Sequence, residues 1–193
     1  GSVLLAGVML KMGTYGFIRI ALPFLPYGAQ KFAPWIGLLA VIGIIYASLA
    51  CLAQKDLKRL IAFSSVGHMG FVMLGIATLT TIGIQAAIFG MVAHGVITGM
   101  LFFCAGSIQE RFHTRELSRL GGLLIQAPKL GWILGFCAMA SLGLPGLAGF
   151  GGEFPAILSA YQPPVGPSAP RSRLSAAGAP VATRVSALRR LVR

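Results

Sequence analysis

Residues 60–109 read LIAFSSVGHMGFVMLGIATLTTIGIQAAIFGMVAHGVITGMLFFCAGSIQ, 50 positions between Arg59 and Glu110 without one Asp, Glu, Lys or Arg. A helix that crosses a bilayer takes about 20 mostly apolar residues. The stretch is therefore too long for one crossing and right for two, and the polar step Thr78-Leu-Thr-Thr-Ile-Gly83 supplies the turn between them. Upstream, 23 uncharged residues separate Lys31 from Lys55 and are entered near the interfacial aromatic Trp35. Downstream, another 23 separate Lys129 from Glu153. The opening segment is span-length too; it holds Lys11 at its centre and Arg19 near its end, and it stops at Pro23 and Pro26, which break helices. The expectation is five spans, over residues 2–22, 35–53, 59–78, 82–107 and 129–161. The fold class is all-α, a polytopic transmembrane helix bundle.

The fifth span is unusual. At about 33 residues it is long for one straight crossing, and Gly143-Leu-Pro-Gly146 interrupts it, followed by Gly149, Gly151 and Gly152. Within lipid a broken helix persists only where protein or a water-filled cavity satisfies the freed backbone groups. Ion-coupled transporters place such discontinuous helices at the transport site.

Composition agrees with a membrane chain. Apolar residues make up 56% and charged residues only 10%, against about 25% charged in soluble domains; mean hydropathy is +0.82. The net charge of +12 points first to nucleic acid, but its distribution does not. Six of the 16 basic residues are arginines within residues 162–193, a Pro/Ala/Ser-rich segment with no acid and no aromatic residue to stack on bases. That segment reads as a disordered tail foreign to the spans. The other basic residues lie mostly in short loops. Lys55, Lys58, Arg59, Arg111, Arg115, Arg119 and Lys129 fall on one side if the spans alternate, which places that side in the cytoplasm or matrix. Cys51, Cys104 and Cys137 have neither disulfide nor metal-ligand spacing, and the chain has no Walker loop or dinucleotide fingerprint.

Four ionisable side chains fall inside spans: Lys11, His68, His94 and Glu153. A charge at mid-bilayer costs on the order of 3 kcal/mol even on the mildest scale, so each is a functional candidate by default. Lys11 shares its helix face with Gly7, Thr14 and Tyr15. His68 shares one with Ser64 and Ser65, and His94 one with Gly90 and Thr98. Histidine titrates nearest physiological pH, and a neighbouring hydroxyl can fix or pass its proton. Glu153 follows the broken segment by seven residues, where a carboxyl can load and release a proton. Blander readings stand beside these: a snorkelling lysine, neutral histidines that join helices, and a glutamate at the interface if the span ends at Gly149. The pairs Gly95-x-x-x-Gly99 and Gly131-x-x-x-Gly135 fit close helix packing.

Five strings then occur in order. They are Leu4-Leu-Ala-Gly-Val-Met-Leu-Lys-Met-Gly-Thr-Tyr-Gly16, Lys55-Asp-Leu-Lys-Arg-Leu-Ile-Ala-Phe-Ser-Ser-Val-Gly-His-Met-Gly70, Met91-Val-Ala-His-Gly95, Arg111-Phe-His-Thr-Arg115 and Ser141-Leu-Gly-Leu-Pro-Gly-Leu-Ala-Gly-Phe-Gly-Gly-Glu-Phe154. Over residues 1–161 the chain resembles the antiporter-like membrane subunits of proton-translocating NADH:quinone oxidoreductase (respiratory complex I), the type called chain M in bacteria and chain 4 in mitochondria. The resemblance implies a C-terminal-half fragment of a subunit built from inverted repeats. Lys11 matches the central lysine of the second repeat, Glu153 the glutamate on its broken helix, and His68 and His94 the histidines between them on a proton relay.

It further implies that this chain holds no cofactor or metal of its own. NADH, FMN, iron–sulfur clusters and quinone sit on partner subunits, and the other membrane-arm subunits and the lipid bilayer are its partners. The location implied is the bacterial inner membrane or the mitochondrial inner membrane. Two other functions stay open on the residues alone: a subunit of a multisubunit cation/proton antiporter, and a non-functional remnant or scaffold.

Overall fold

The computed structural model describes residues 1–161; the tail expected to be disordered, residues 162–193, lies outside the described residues. Among the described residues four helices are long and apolar enough to cross a membrane: α1 (Ser2–Phe24), α2 (Pro26–Leu52), α3 (Leu57–Ala77) and α4 (Thr81–Phe112). After a 3₁₀ turn and the short α5 (Leu123–Gln126) come α6 (Pro128–Ser141) and α7 (Ala148–Ala160). At 1.5 Å per residue, α6 and α7 are each about 20 Å long, so neither crosses about 30 Å of hydrocarbon alone, whereas end to end they do. The fifth span is thus two half-helices, as the glycines imply.

Local chemistry sets the boundaries. Asp56 caps α3, its side chain accepting from the Lys58 and Arg59 backbone N–H groups at 2.8 and 3.4 Å. Thr80 caps α4 by accepting from the Gly83 N–H at 3.0 Å, so the polar step at 78–83 is the turn it reads as. Several boundaries differ from expectation; α4 runs five residues past the expected end at 107, to Phe112. The second helix starts nine residues early, at Pro26, because proline is tolerated in a first turn where its missing N–H has no partner to lose. The first helix carries π-helical runs at Leu5–Met9 and Phe17–Ala21 and stays helical through Pro23, breaking at Leu25 (φ −126°, ψ 60°).

Helices α2, α3 and α4 follow one another as antiparallel neighbours. The α6–α7 pair packs against α3 and α4, and α1 lies against α4. The loops before α3 and after α4 meet at one end, where the Leu57 N–H donates to the Arg115 carbonyl at 3.0 Å and the Leu117 N–H to the Lys55 carbonyl at 2.9 Å. All seven basic residues assigned to one side flank that end or the loop leading from it, as alternating spans require. At the opposite end α7 reaches the α3–α4 turn, where fully buried Ser159 accepts from the Thr78 hydroxyl at 3.3 Å.

Outward positions of α2, among them Leu39, Ile42, Ile45 and Leu49, are more than half exposed, while Ala40 and Ala47 are buried inward. That is the distribution of a helix facing hydrocarbon on one side. Inside, two apolar clusters form. Ala6, Ile61, Leu101, Phe102, Ala105 and Cys137 lie toward the basic end, and Met69, Val72, Ile76, Ala87 and Met91 toward the other. Along α3 and α4 the histidines fall between these two sets.

Candidate functional site

Each histidine arrives at mid-bundle by counting along its helix. His68 is nine residues short of the end of α3 and His94 thirteen residues past the start of α4, which puts them about 14 and 20 Å from the same turn. Their rings face each other with centroids 5.3 Å apart and planes inclined at 54°. Both stand opposite the break in the fifth span.

The break itself is built by glycine. Gly143 has φ +68° and Gly146 φ +91°, conformations that cost an L side chain about 1–2 kcal/mol. A methyl group on Gly143 would also stand 2.8 Å from Glu153 Oε2, so the position is closed to a side chain twice over. With the chain turned this way, Glu153 in the second turn of α7 folds its carboxylate back toward α3. His68 Nδ1 and Glu153 Oε1 are 2.6 Å apart, and the two side chains are only 20% and 23% exposed. The interfacial reading of Glu153 therefore does not hold: α7 continues to Ala160 and the carboxylate points inward.

The other ring nitrogen of His68 meets the other half-helix. Nε2 lies 3.0 Å from the hydroxyl of Ser141, the last residue of α6. The hydroxyls expected beside it, those of Ser64 and Ser65, donate instead to the Ile61 carbonyl at 2.8 and 3.1 Å, the back-bonding usual for serine inside a helix. His94 does use its same-face partner, with Nε2 3.0 Å from the Thr98 hydroxyl, while the buried His94 Nδ1 has no hydrogen-bond partner among the described residues. His68, His94, Ser141 and Glu153 line a cavity of about 20 Å³, together with Gly90, Gly149 and Gly152. That volume admits about one water molecule.

Lys11 is the outlying member. Its ammonium donates to the Ala6 carbonyl, within the first π-helical run of α1, and does not line the cavity. It approaches His94 through backbone contact, since a methyl group on the adjacent Gly95 would stand 3.1 Å from the Gly7 carbonyl and 3.9 Å from Lys11 Cε. The expected face of Lys11 is half right: Thr14 is buried, its hydroxyl donating to the Lys11 carbonyl at 3.0 Å, whereas Tyr15 is 54% exposed.

The remaining motifs divide. Gly95 and Gly99 do lie against α1, but Gly135 meets nothing and Gly131 only Leu124 of the preceding turn, so that pair joins no two spans. Among the described residues no group of three or more His, Cys, Asp or Glu side chains is placed to hold a metal ion. Ser141 is the residue that sequence reasoning missed. It ends α6 two residues before Gly143, and its signals were that place and its position at the head of the last of the five strings.

Known proteins are similar to this chain in sequence and fold. The family described as NADH:quinone oxidoreductase/Mrp antiporter, transmembrane, matches residues 1–164. NADH-quinone oxidoreductase subunit M from Rhodobacter capsulatus is 49% identical over 162 residues, 84% of this chain and 32% of that protein. The subunit M of Rickettsia prowazekii is 48% identical, covering 84% and 33%. The chain thus spans about a third of the length of these curated relatives. Among solved structures, respiratory complex I from Thermus thermophilus with bound NADH superposes with a TM-score of 0.76 at 38% identity, over 78% of this chain and 32% of that one. An archaeal membrane-bound sulfane sulfur reductase gives 0.78 at 27% identity, over 83% and 33%. By family match and by relatives near half identical over most of its described length, this chain belongs to the transmembrane family of NADH:quinone oxidoreductase and Mrp antiporter subunits.

Proposed function

We propose that residues 1–161 form a proton-carrying part of a membrane subunit of an NADH:quinone oxidoreductase, with Lys11, His94, His68 and Glu153 as the relay. The observation that carries the reading is the 2.6 Å contact between His68 Nδ1 and Glu153 Oε1 at the break of the fifth span, with His94 one ring away. At that separation a proton shared by the pair moves between carboxyl and imidazole with little rearrangement. The next transfer takes the Nε2 proton of the His68 imidazolium toward His94 through the small cavity that both rings line, where one water molecule can bridge the gap, and leaves the ring neutral with its hydrogen on Nδ1. Lys11, across α4 from the cavity, supplies the charge that draws or repels the proton at the far end.

Moving a proton against 100 mV costs about 2.3 kcal/mol, and the relay residues have no chemistry to supply it. The energy comes from partners. NADH, FMN, iron–sulfur clusters and quinone belong to other subunits, this chain's share being translocation in a bacterial inner or mitochondrial inner membrane. Residues 1–161 are one module.

The test is proton pumping by the complete subunit in its complex, reconstituted in vesicles. Glu153→Gln and Lys11→Ala each abolish this subunit's contribution while the assembled complex still oxidises NADH. Normal pumping in both would return the chain to a scaffold. Flavin and iron–sulfur absorbance that co-purifies with the subunit supports the respiratory complex, and their absence supports the cation/proton antiporter.

A further inference from the structure

Ser141 is held by the fold at one particular atom. His68 stands on α3 with one ring nitrogen on each half of the broken span, Nδ1 on the Glu153 carboxylate of α7 and Nε2 on the Ser141 hydroxyl of α6. We propose that Ser141 is a positioning residue of the relay: its hydroxyl fixes the His68 ring across the break and serves Nε2 in every protonation state the ring passes through. The inference rests on the relay reading above and adds a residue to it.

The bookkeeping of protons requires a group of this kind. With the carboxylate ionised and the ring neutral, Nδ1–H donates to Glu153, Nε2 is a bare acceptor, and the Ser141 O–H donates to it. With the proton on the carboxyl, that O–H donates to Nδ1 while Nε2 carries hydrogen and donates to Ser141 Oγ. When the carboxyl proton then crosses to Nδ1, the imidazolium donates from both nitrogens, one to the carboxylate and one to Oγ. A hydroxyl is both donor and acceptor and rotates to suit each case. A methyl group does neither, and leaves Nε2 unsatisfied in all three states. The groups facing His68 from each packed element are Glu153 and Ser141 on the two half-helices and His94 on α4, with Lys11 behind His94. Among the described residues no other side chain hydrogen-bonds to Nε2.

The experiment compares Ser141→Ala, Ser141→Thr and Glu153→Gln in the complete subunit within its complex. It reads proton pumping in vesicles and the infrared ring band of His68 that marks its tautomer, assigned by its loss in His68→Asn. Ser141→Ala lowers this subunit's contribution to pumping about tenfold, the loss of one hydrogen bond to a charged group, and shifts the ring band. Ser141→Thr, which keeps the hydroxyl, returns pumping to within about twofold of the parent.

An unshifted ring band in Ser141→Ala, or full pumping by that variant while Glu153→Gln is inactive, overturns the role of Ser141 and leaves the relay standing. Full pumping by Glu153→Gln overturns the relay and this inference with it. Should Ser141→Ala fail to assemble, Ser141→Gly also removes the hydroxyl and is read against the same two outcomes.

Discussion

Gly143 shows how much of the site hangs on single atoms. Its φ of +68° and the approach of Glu153 Oε2 leave no room for a methyl group. Gly143→Ala is expected to cost about 1–2 kcal/mol in backbone strain and to push the carboxylate off His68. Its pumping in reconstituted vesicles should then fall toward that of Glu153→Gln, and a variant that pumps normally would mean the 2.6 Å contact is dispensable. At this scale the sequence was informative about type and weak about pairing. Charge scarcity marks Lys11, His68, His94 and Glu153, since few ionisable groups sit in apolar spans without cause. It says nothing about which two touch. The 85-residue separation of His68 and Glu153 is a property of the folded bundle, and Ser141 carries no charge to draw attention.

Among the elements, α7 meets α4 through glycine. A methyl group on Gly152 would stand 2.6 Å from Gly90 Cα, whereas one on Gly135 of α6 would meet nothing within 4 Å. Gly152→Ala is therefore expected to destabilise the subunit by about 1–3 kcal/mol through helix displacement, with Gly135→Ala neutral or slightly stabilising. Thermal unfolding of the detergent-solubilised subunit reads both, and equal melting of the two variants would contradict the packing described. The break between α6 and α7 was legible because Gly and Pro punctuate a helix whatever surrounds them. Helix ends were legible where a capping side chain or a polar step exists, as at Asp56 and Thr80. The start of α2 was not, since proline reads as a stop in one register and a start in another. The twin glycines at 131 and 135 show the same limit: a small-residue spacing permits close approach, but only the bundle decides whether a neighbour is there.

Across the whole molecule, His68, His94, Ser141 and Glu153 form one polar layer at mid-depth, with apolar clusters toward each end. Such insulation strengthens each hydrogen bond inside and confines a proton to the side chains that line the cavity. The basic loops clasped by the Lys55–Leu57 and Arg115–Leu117 backbone bonds mark one end of that layer. A cysteine placed at Lys58 or Ser118, with Cys51, Cys104 and Cys137 replaced, should react with a membrane-impermeant maleimide from the cytoplasmic or matrix face only. One placed at Lys31 should react from the opposite face. Labelling of Lys58 and Lys31 positions from the same side would contradict the alternation of spans. This architecture was the most legible feature of all, because about 20 apolar residues between charges is a requirement imposed by the bilayer and not by any partner helix.

The central claim is that protons cross mid-bundle through the His68 ring, between Glu153 and His94. The most direct measurement is the number of protons translocated per NADH oxidised by the complete complex carrying His68→Ala in sealed vesicles. A ratio reduced by this subunit's share, with NADH oxidation retained in uncoupled vesicles, is the predicted result. An undiminished ratio would contradict the claim.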